Sequence, residues 1–184
     1  MTKLLAALTI WNAPSSSSGK YHAEGETLRV HTNKVIGCVR RLCGVYRVSS
    51  NYRRKLVQAA YFHDMWKYGL VDDALGFYKS GGHTVRDHAE IAYTQLMARK
   101  PEVAKMCRVH MQQWGVGSES IWSGLMSGTQ TDPAYVAGLI LAMADYIMSR
   151  RGAEPTADEQ KHVDEIRTAL ERQIKNIQEG GTQP

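Results

Sequence analysis

Asp132 and Pro133 stand just before the most apolar stretch of the chain, Ala134 to Ala144. An aspartate followed by proline starts a helix: the carboxylate accepts from a free N–H of the first turn, and proline presets φ where no N–H is needed. The helix so begun reads through Ala137, Ile140, Leu141, Ala144, Asp145 and Met148 to about Arg151, with Gly152 as its stop. Its apolar residues occupy every face rather than one stripe, so it is stable only when other elements cover it on several sides. The run is too short to cross a bilayer, which takes ~20 apolar residues. The cover must therefore be protein, and no membrane partner is expected.

The rest of the chain supplies that cover as amphipathic helices. Leu28, His31, Val35, Cys38, Val39 and Leu42 recur at three- and four-residue steps and predict a helix to about Tyr46. A second starts near Ser49-Ser50-Asn51 and passes Leu56, Ala59, Ala60 and His63 before a stop at Gly69. A third is expected from Thr84, where Thr84-Val85-Arg86-Asp87 has the outline of a capping box, with Val85, Ala89, Ala92 and Leu96 as its stripe. A fourth follows Pro101, carries Val103, Cys107, His110, Met111 and Trp114 on one face, and closes at Gly115. Thr156 and Glu159 form a better capping box, opening a last helix with Val163, Ile166, Leu170, Ile174 and Ile177. A short helix over 3–11 is also expected. Residues 12–19, 71–82 and 116–131, rich in Gly, Ser or both, are expected as linker and loops. Nothing alternates with a strand's period. The prediction is an all-α bundle of about six to seven helices.

At 184 residues this is one domain. The expected organisation is an N-terminal segment and linker over 1–19, the domain over 20–152, a helix over 153–178 packed on it or forming a homo-oligomer interface, and a disordered tail over 179–184. The formal charge of +5 suits an anionic ligand. Basic residues are scattered, however, with only Arg40-Arg41, Arg53-Arg54-Lys55 and Arg150-Arg151 as clusters, so a small nucleotide is expected ahead of nucleic acid. Cys38, Cys43 and Cys107 are an odd number without Cys-x-x-Cys spacing. They read as reduced thiols of a cytoplasmic protein.

Four groups fall on the buried faces of these helices and need a reason to be there: His31, His63, Asp64 and Asp145. Adjacent helical residues point ~100° apart, so His63 and Asp64 flank one point from two directions. An ionised aspartate is costly to bury without a partner. Each residue alone has a structural explanation, such as a hydrogen-bonded core histidine or a buried ion pair. Two imidazoles and two carboxylates on converging helices suit a divalent transition metal.

The pattern His31, His63-Asp64, Asp145 resembles the HD-domain phosphohydrolase superfamily, whose signature is H…HD…D on an all-α bundle; the resemblance covers roughly residues 20 to 150. Phe62-His63-Asp64-Met65-Trp66-Lys67 resembles its hydrophobic-His-Asp-x-x-Lys segment, and Ala144-Asp145 its final ligand. Tyr21-His22-Ala23-Glu24-Gly25-Glu26 resembles the lead-in of the HD domain in bacterial tRNA nucleotidyltransferases. The resemblance implies hydrolysis of a phosphate ester or anhydride at a divalent metal (Zn, Mn, Co or Mg) held by His31, His63, Asp64 and Asp145. Lys67 is then placed to reach a phosphate oxygen, and Glu24 or Glu26 to orient the water or a histidine behind the metal ligands. His88 and His110 are either ligands of a second metal or, beside a single metal, phosphate contacts or hydrogen-bonded core residues. His22 and His83 are further substrate contacts, while His162 is expected in solvent. The implied reactions are those of a (deoxy)nucleoside triphosphate triphosphohydrolase, or dNTPase, or of a nucleotidase. The alternatives are a cyclic-nucleotide phosphodiesterase and a non-catalytic HD module binding nucleotide or RNA.

Overall fold

The computed structural model describes residues 11–15, 22, 25–70, 84–150 and 154–179. The 3–10 part of the helix expected over 3–11, the 16–19 part of the linker, the 71–82 loop and the 180–184 part of the tail expected over 179–184 lie outside these residues; residue 179 ends the last helix. Among the described residues there are seven α-helices, one 3₁₀ turn and no strand, only the isolated bridge between Pro14 and Thr27. The fold is all-α.

Helix α1 (Leu28–Val45) begins behind Thr27, whose hydroxyl accepts from Val30 N–H at 3.3 Å. Its buried stripe is Leu28, His31, Thr32, Val35, Cys38, Val39 and Cys43, a helical spacing that carries His31 into the interior. Helix α2 (Ser50–Phe62) ends earlier than the periodicity predicts. From His63 the chain winds on in tight turns, with Met65, Lys67 and Gly69 N–H bonded three residues back, to Gly69 at φ 81°.

Helix α3 (His88–Met97) starts one turn later than expected from Thr84. The residues before it are tied to neighbouring segments instead: Val85 N–H donates to Lys67 O at 2.7 Å and Val85 O accepts from His88. Asp87, at the N-terminal boundary, makes no side-chain cap. Helix α4 (Pro101–Val109) runs into a 3₁₀ turn over Gln112–Trp114, closed by Gly115 at φ 71°.

The stretch 116–131, expected as a loop, instead contains helix α5 (Glu119–Ser127). Ile121, Trp122, Leu125 and Met126 recur at helical spacing, Leu125 is fully buried, and Gly128 at φ 88° forms the C-cap. Serines and glycines hide this pattern in the sequence. Gly124 and Leu125 lie against the C-terminal helix, whose Gln173 amide donates to Leu125 O at 3.2 Å.

Helix α6 (Pro133–Met148) is the centre of the bundle. Asp132 accepts from Ala134 N–H at 2.9 Å, and every residue from Ala134 to Asp145 is buried. Helices α1, α2, α4, α5 and α7 (Ala157–Glu179) all contact it. At Gly138 the approach of α4 is so close that a Cβ would meet Val109 Cγ2 at 2.7 Å. Helix α7 opens with the expected reciprocal cap between Thr156 and Glu159 and lays Val163, Ile166, Ala169 and Leu170 onto the core. Cys38, Cys43 and Cys107 are buried free thiols.

The described end of the linker is tied down. Leu28 N–H donates to Ala13 O at 2.9 Å, Ser15 N–H to Glu26 O at 2.8 Å, and the Tyr68 hydroxyl to Pro14 O at 2.6 Å. No described helix is long and apolar enough to cross a membrane.

Candidate metal centre

Five elements deliver one polar cluster into the interior. His31 comes from the first turn of α1, and His63 and Asp64 from the end of α2. His88 is the first residue of α3, His110 follows α4, and Asp145 lies near the end of α6. All six are buried. His31 Nε2 is 3.0 Å from Asp145 Oδ1, 3.6 Å from Asp64 Oδ2 and 3.3 Å from His63 Nε2. His63 Nε2 is 3.6 Å from Asp64 Oδ2 and 3.7 Å from Asp145 Oδ1. On the other side of Asp64, His88 Nε2 is 3.0 Å and His110 Nε2 3.7 Å from Oδ1, and these two nitrogens are 3.1 Å apart. Asp64 thus offers one oxygen to each pair of histidines.

Rings are aimed by their outer nitrogens. His63 Nδ1 contacts Ala60 O at 2.7 Å, His88 Nδ1 Val85 O at 2.8 Å, and His110 Nδ1 Cys107 O at 2.5 Å, each carbonyl three residues back. With those Nδ1–H groups donating, the Nε2 lone pairs face the carboxylates. The carboxylate of Asp145 also accepts from the Ser149 hydroxyl at 3.1 Å, a partner legible in sequence only as a serine one turn on.

Charge is balanced in pairs. Burial would push the Asp64 carboxyl up, but Lys67 and the neighbouring histidines outweigh it and hold it well below the usual range. The same contest holds Asp145 down through His31 and His63. Burial also disfavours a charged His63, yet Asp64 and Asp145 leave it above its ordinary value, while burial lowers His110. The two carboxylates are ionised and call for a cation.

The donor set fits a metal. Ligand bonds of ~2.1 Å in tetrahedral array place donor atoms ~3.4 Å apart, and the separations here run from 3.0 to 3.7 Å. His31, His63 and Asp64 form one group able to hold an ion, with Asp145 beside it, and Asp64, His88 and His110 form a second.

Lys67 Nζ donates to Asp64 Oδ2 at 2.7 Å with its side chain largely buried. His22 is also at the cluster: its ring stands 4.5 Å edge-on to His31, and its backbone N–H donates to Ser149 O at 2.8 Å. Burial and the Lys67 charge lower His22 to about 4. Glu24 and His83 lie outside the described residues. His162 is half-buried, not in solvent: α7 packs its ring 4.7 Å from Tyr146, and burial lowers its pKa. Trp114 stacks on Tyr146 at 5.2 Å. Sequence reasoning left Glu26 as an alternative to Glu24; it is buried, with Oε2 3.2 Å from His22 Nδ1 and 3.9 Å from His31 Nδ1. Comparison with family models, curated proteins and solved structures gives no match.

Proposed function

We propose that the chain is a metal-dependent phosphohydrolase of HD type acting on nucleotides. The observation that carries this reading is the position of Asp64 between two pairs of histidines, with Lys67 bonded to the same carboxylate. His31, His63, Asp64 and Asp145 would hold one divalent ion, and Asp64, His88 and His110 a second. Such ions supply Lewis acidity toward a phosphoryl oxygen and make bound water acidic enough to attack at neutral pH.

The chain's own groups orient the reaction. An Nδ1–H bond to a main-chain carbonyl fixes each of His63, His88 and His110. Lys67 spends one of its three donors on Asp64, leaving two for a non-bridging phosphate oxygen. His22, neutral at pH 7 and beside Lys67 in the electrostatics of the site, borders the substrate position. The formal charge of +5 favours an anionic substrate.

Within this class a (deoxy)nucleoside triphosphate triphosphohydrolase or nucleotidase is the first reading. The inclusion of His88 and His110 favours a second, phosphodiester cleavage of cyclic nucleotides, because two ions can stabilise both attacking and leaving oxygens. The test is product analysis on a panel of dNTPs, NTPs, monophosphates and cyclic nucleotides with Zn²⁺, Mn²⁺, Co²⁺ or Mg²⁺. Hydrolysis that disappears in a His63→Ala/Asp64→Ala variant supports the enzyme and names its reaction. No turnover with any pairing counts against it and leaves a nucleotide-binding module.

A further inference from the structure

His31 is the exception among the clustered histidines. His63, His88 and His110 each place Nδ1 on a carbonyl of their own segment. His31 Nδ1 is buried and has no hydrogen-bond partner among the described residues. When Nε2 serves as a ligand, the ring proton sits on Nδ1, and a buried N–H without an acceptor is destabilising. The acidic group facing it is Glu26, with Oε2 at 3.9 Å.

Glu26 is held for that task. Its carboxylate is almost wholly buried, and Oε2 lies 3.3 Å from the Ser15 hydroxyl and 3.2 Å from His22 Nδ1. The Lys34 ammonium is in tight contact with Oε1. Burial opposes ionisation of Glu26, but Lys34, His31 and His22 outweigh it and lower its carboxyl. The bridge between Pro14 and Thr27 and the bond from Ser15 N–H to Glu26 O fix the backbone around it.

His22, Glu26 and His31 are close enough together to enclose a cation of their own. The surroundings argue otherwise. The ammonium of Lys34 already supplies the positive charge, and Ser15 and His22 supply donors to the oxygen that faces His31. With His31 Nε2 turned to Asp145 and Asp64, its Nδ1 carries the ring proton and has no lone pair to offer an ion beside Glu26.

We propose that Glu26 is the positioning residue for His31, accepting its Nδ1–H and so holding Nε2 toward Asp64 and Asp145. This rests on the metal reading above. A hydrogen bond of ~2.9 Å requires the two groups to close by about 1 Å from their present 3.9 Å, a side-chain rotation. A carboxylate behind a ligating imidazole fixes its tautomer and raises its basicity, and loss of such a partner typically costs ~10–100-fold in metal affinity.

The test is titration with Co²⁺, followed by its visible absorption, of the wild type, Glu26→Gln, Glu26→Asp and His31→Ala, with melting temperatures of the metal-free proteins. The expected result is ~10–100-fold weaker binding and an altered spectrum in Glu26→Gln, partial recovery in Glu26→Asp, and an unchanged metal-free melting temperature. Wild-type affinity and spectrum in Glu26→Gln, with the ion lost in His31→Ala, would overturn the role of Glu26 and leave the metal reading standing. Weakened binding that follows a lowered melting temperature, without recovery in Glu26→Asp, overturns it too, since it marks a merely structural role. A wild type that binds no Co²⁺ removes the metal reading itself.

Discussion

His88 Nε2 lies 3.0 Å from Asp64 Oδ1, although Asp64 follows α2 and His88 opens α3, with the 71–83 segment between them in the chain. Asp64 Oδ2 faces His31 and His63 instead, each at 3.6 Å. The carboxylate is therefore shared, while the histidines on its two sides are not, and mutation of a histidine addresses one side alone.

His110→Ala is expected to remove one divalent ion per chain while the group formed by His31, His63, Asp64 and Asp145 keeps its own. Isothermal titration with Mn²⁺ checks this: the wild type gives two equivalents and the variant one. The loss of a single ring leaves the helices in place, so the circular dichroism spectrum should not change.

Metal affinity should rise with pH through the neutral range. His63 binds its proton more tightly than an ordinary histidine, because Asp64 and Asp145 outweigh its burial. A ligating imidazole must be neutral, so the ion competes with that proton and its binding releases it. Titrations in buffers of different ionisation enthalpy should show proton release at pH 6 that fades once the pH exceeds the raised value. Affinity independent of pH between 6 and 8 speaks against His63 as a ligand.

Asp132 caps the central helix and pairs with Lys105 at 2.5 Å. Burial opposes its ionisation, but Lys105 and the Ala134 N–H lower its carboxyl below the ordinary 3.8. A depressed acid contributes stability that is complete above its unfolded pKa and lost as the pH falls through the folded one. Asp132→Ala should therefore cost ~1 kcal/mol in urea unfolding at pH 7, and progressively less below pH 4.

Gly138→Ala places a methyl group 2.7 Å from Val109 Cγ2 and 3.2 Å from Met106 O, between α6 and α4. Overpacking of this kind costs ~1–3 kcal/mol, read as a lower urea midpoint with an unchanged slope. The glycine sits in a helix where alanine has the better propensity by ~1 kcal/mol, so a stabilised variant would show that the two helices separate readily.

Much of this arrangement is legible in the residues themselves. His31, His63, Asp64 and Asp145 stand out because each interrupts an apolar face, and a buried charge needs a partner. Asp132-Pro133 and Thr156…Glu159 mark helix starts through local chemistry that tertiary packing does not override. Helix α5 was not legible, since its four apolar residues are interleaved with serine and glycine and its stability comes from packing of Leu125 and from Gln173 of α7. The late start of α3 is not legible, since the segment before it is tied to Lys67 O through Val85 N–H, a contact between segments distant in sequence. Glu26 and Glu24 are equivalent on paper; the backbone pairing around Thr27 turns Glu26 toward His31. His162 was placed in solvent because nothing in its helix announces Trp114 and Tyr146 opposite.

The most direct test of the shared-carboxylate centre is the number of divalent ions retained per chain after dialysis against Mn²⁺, measured by elemental analysis on the wild type and Asp64→Ala. The account predicts two ions in the wild type and loss of both in Asp64→Ala, with helical content unchanged. Two ions retained without Asp64, or none in the wild type, would contradict it.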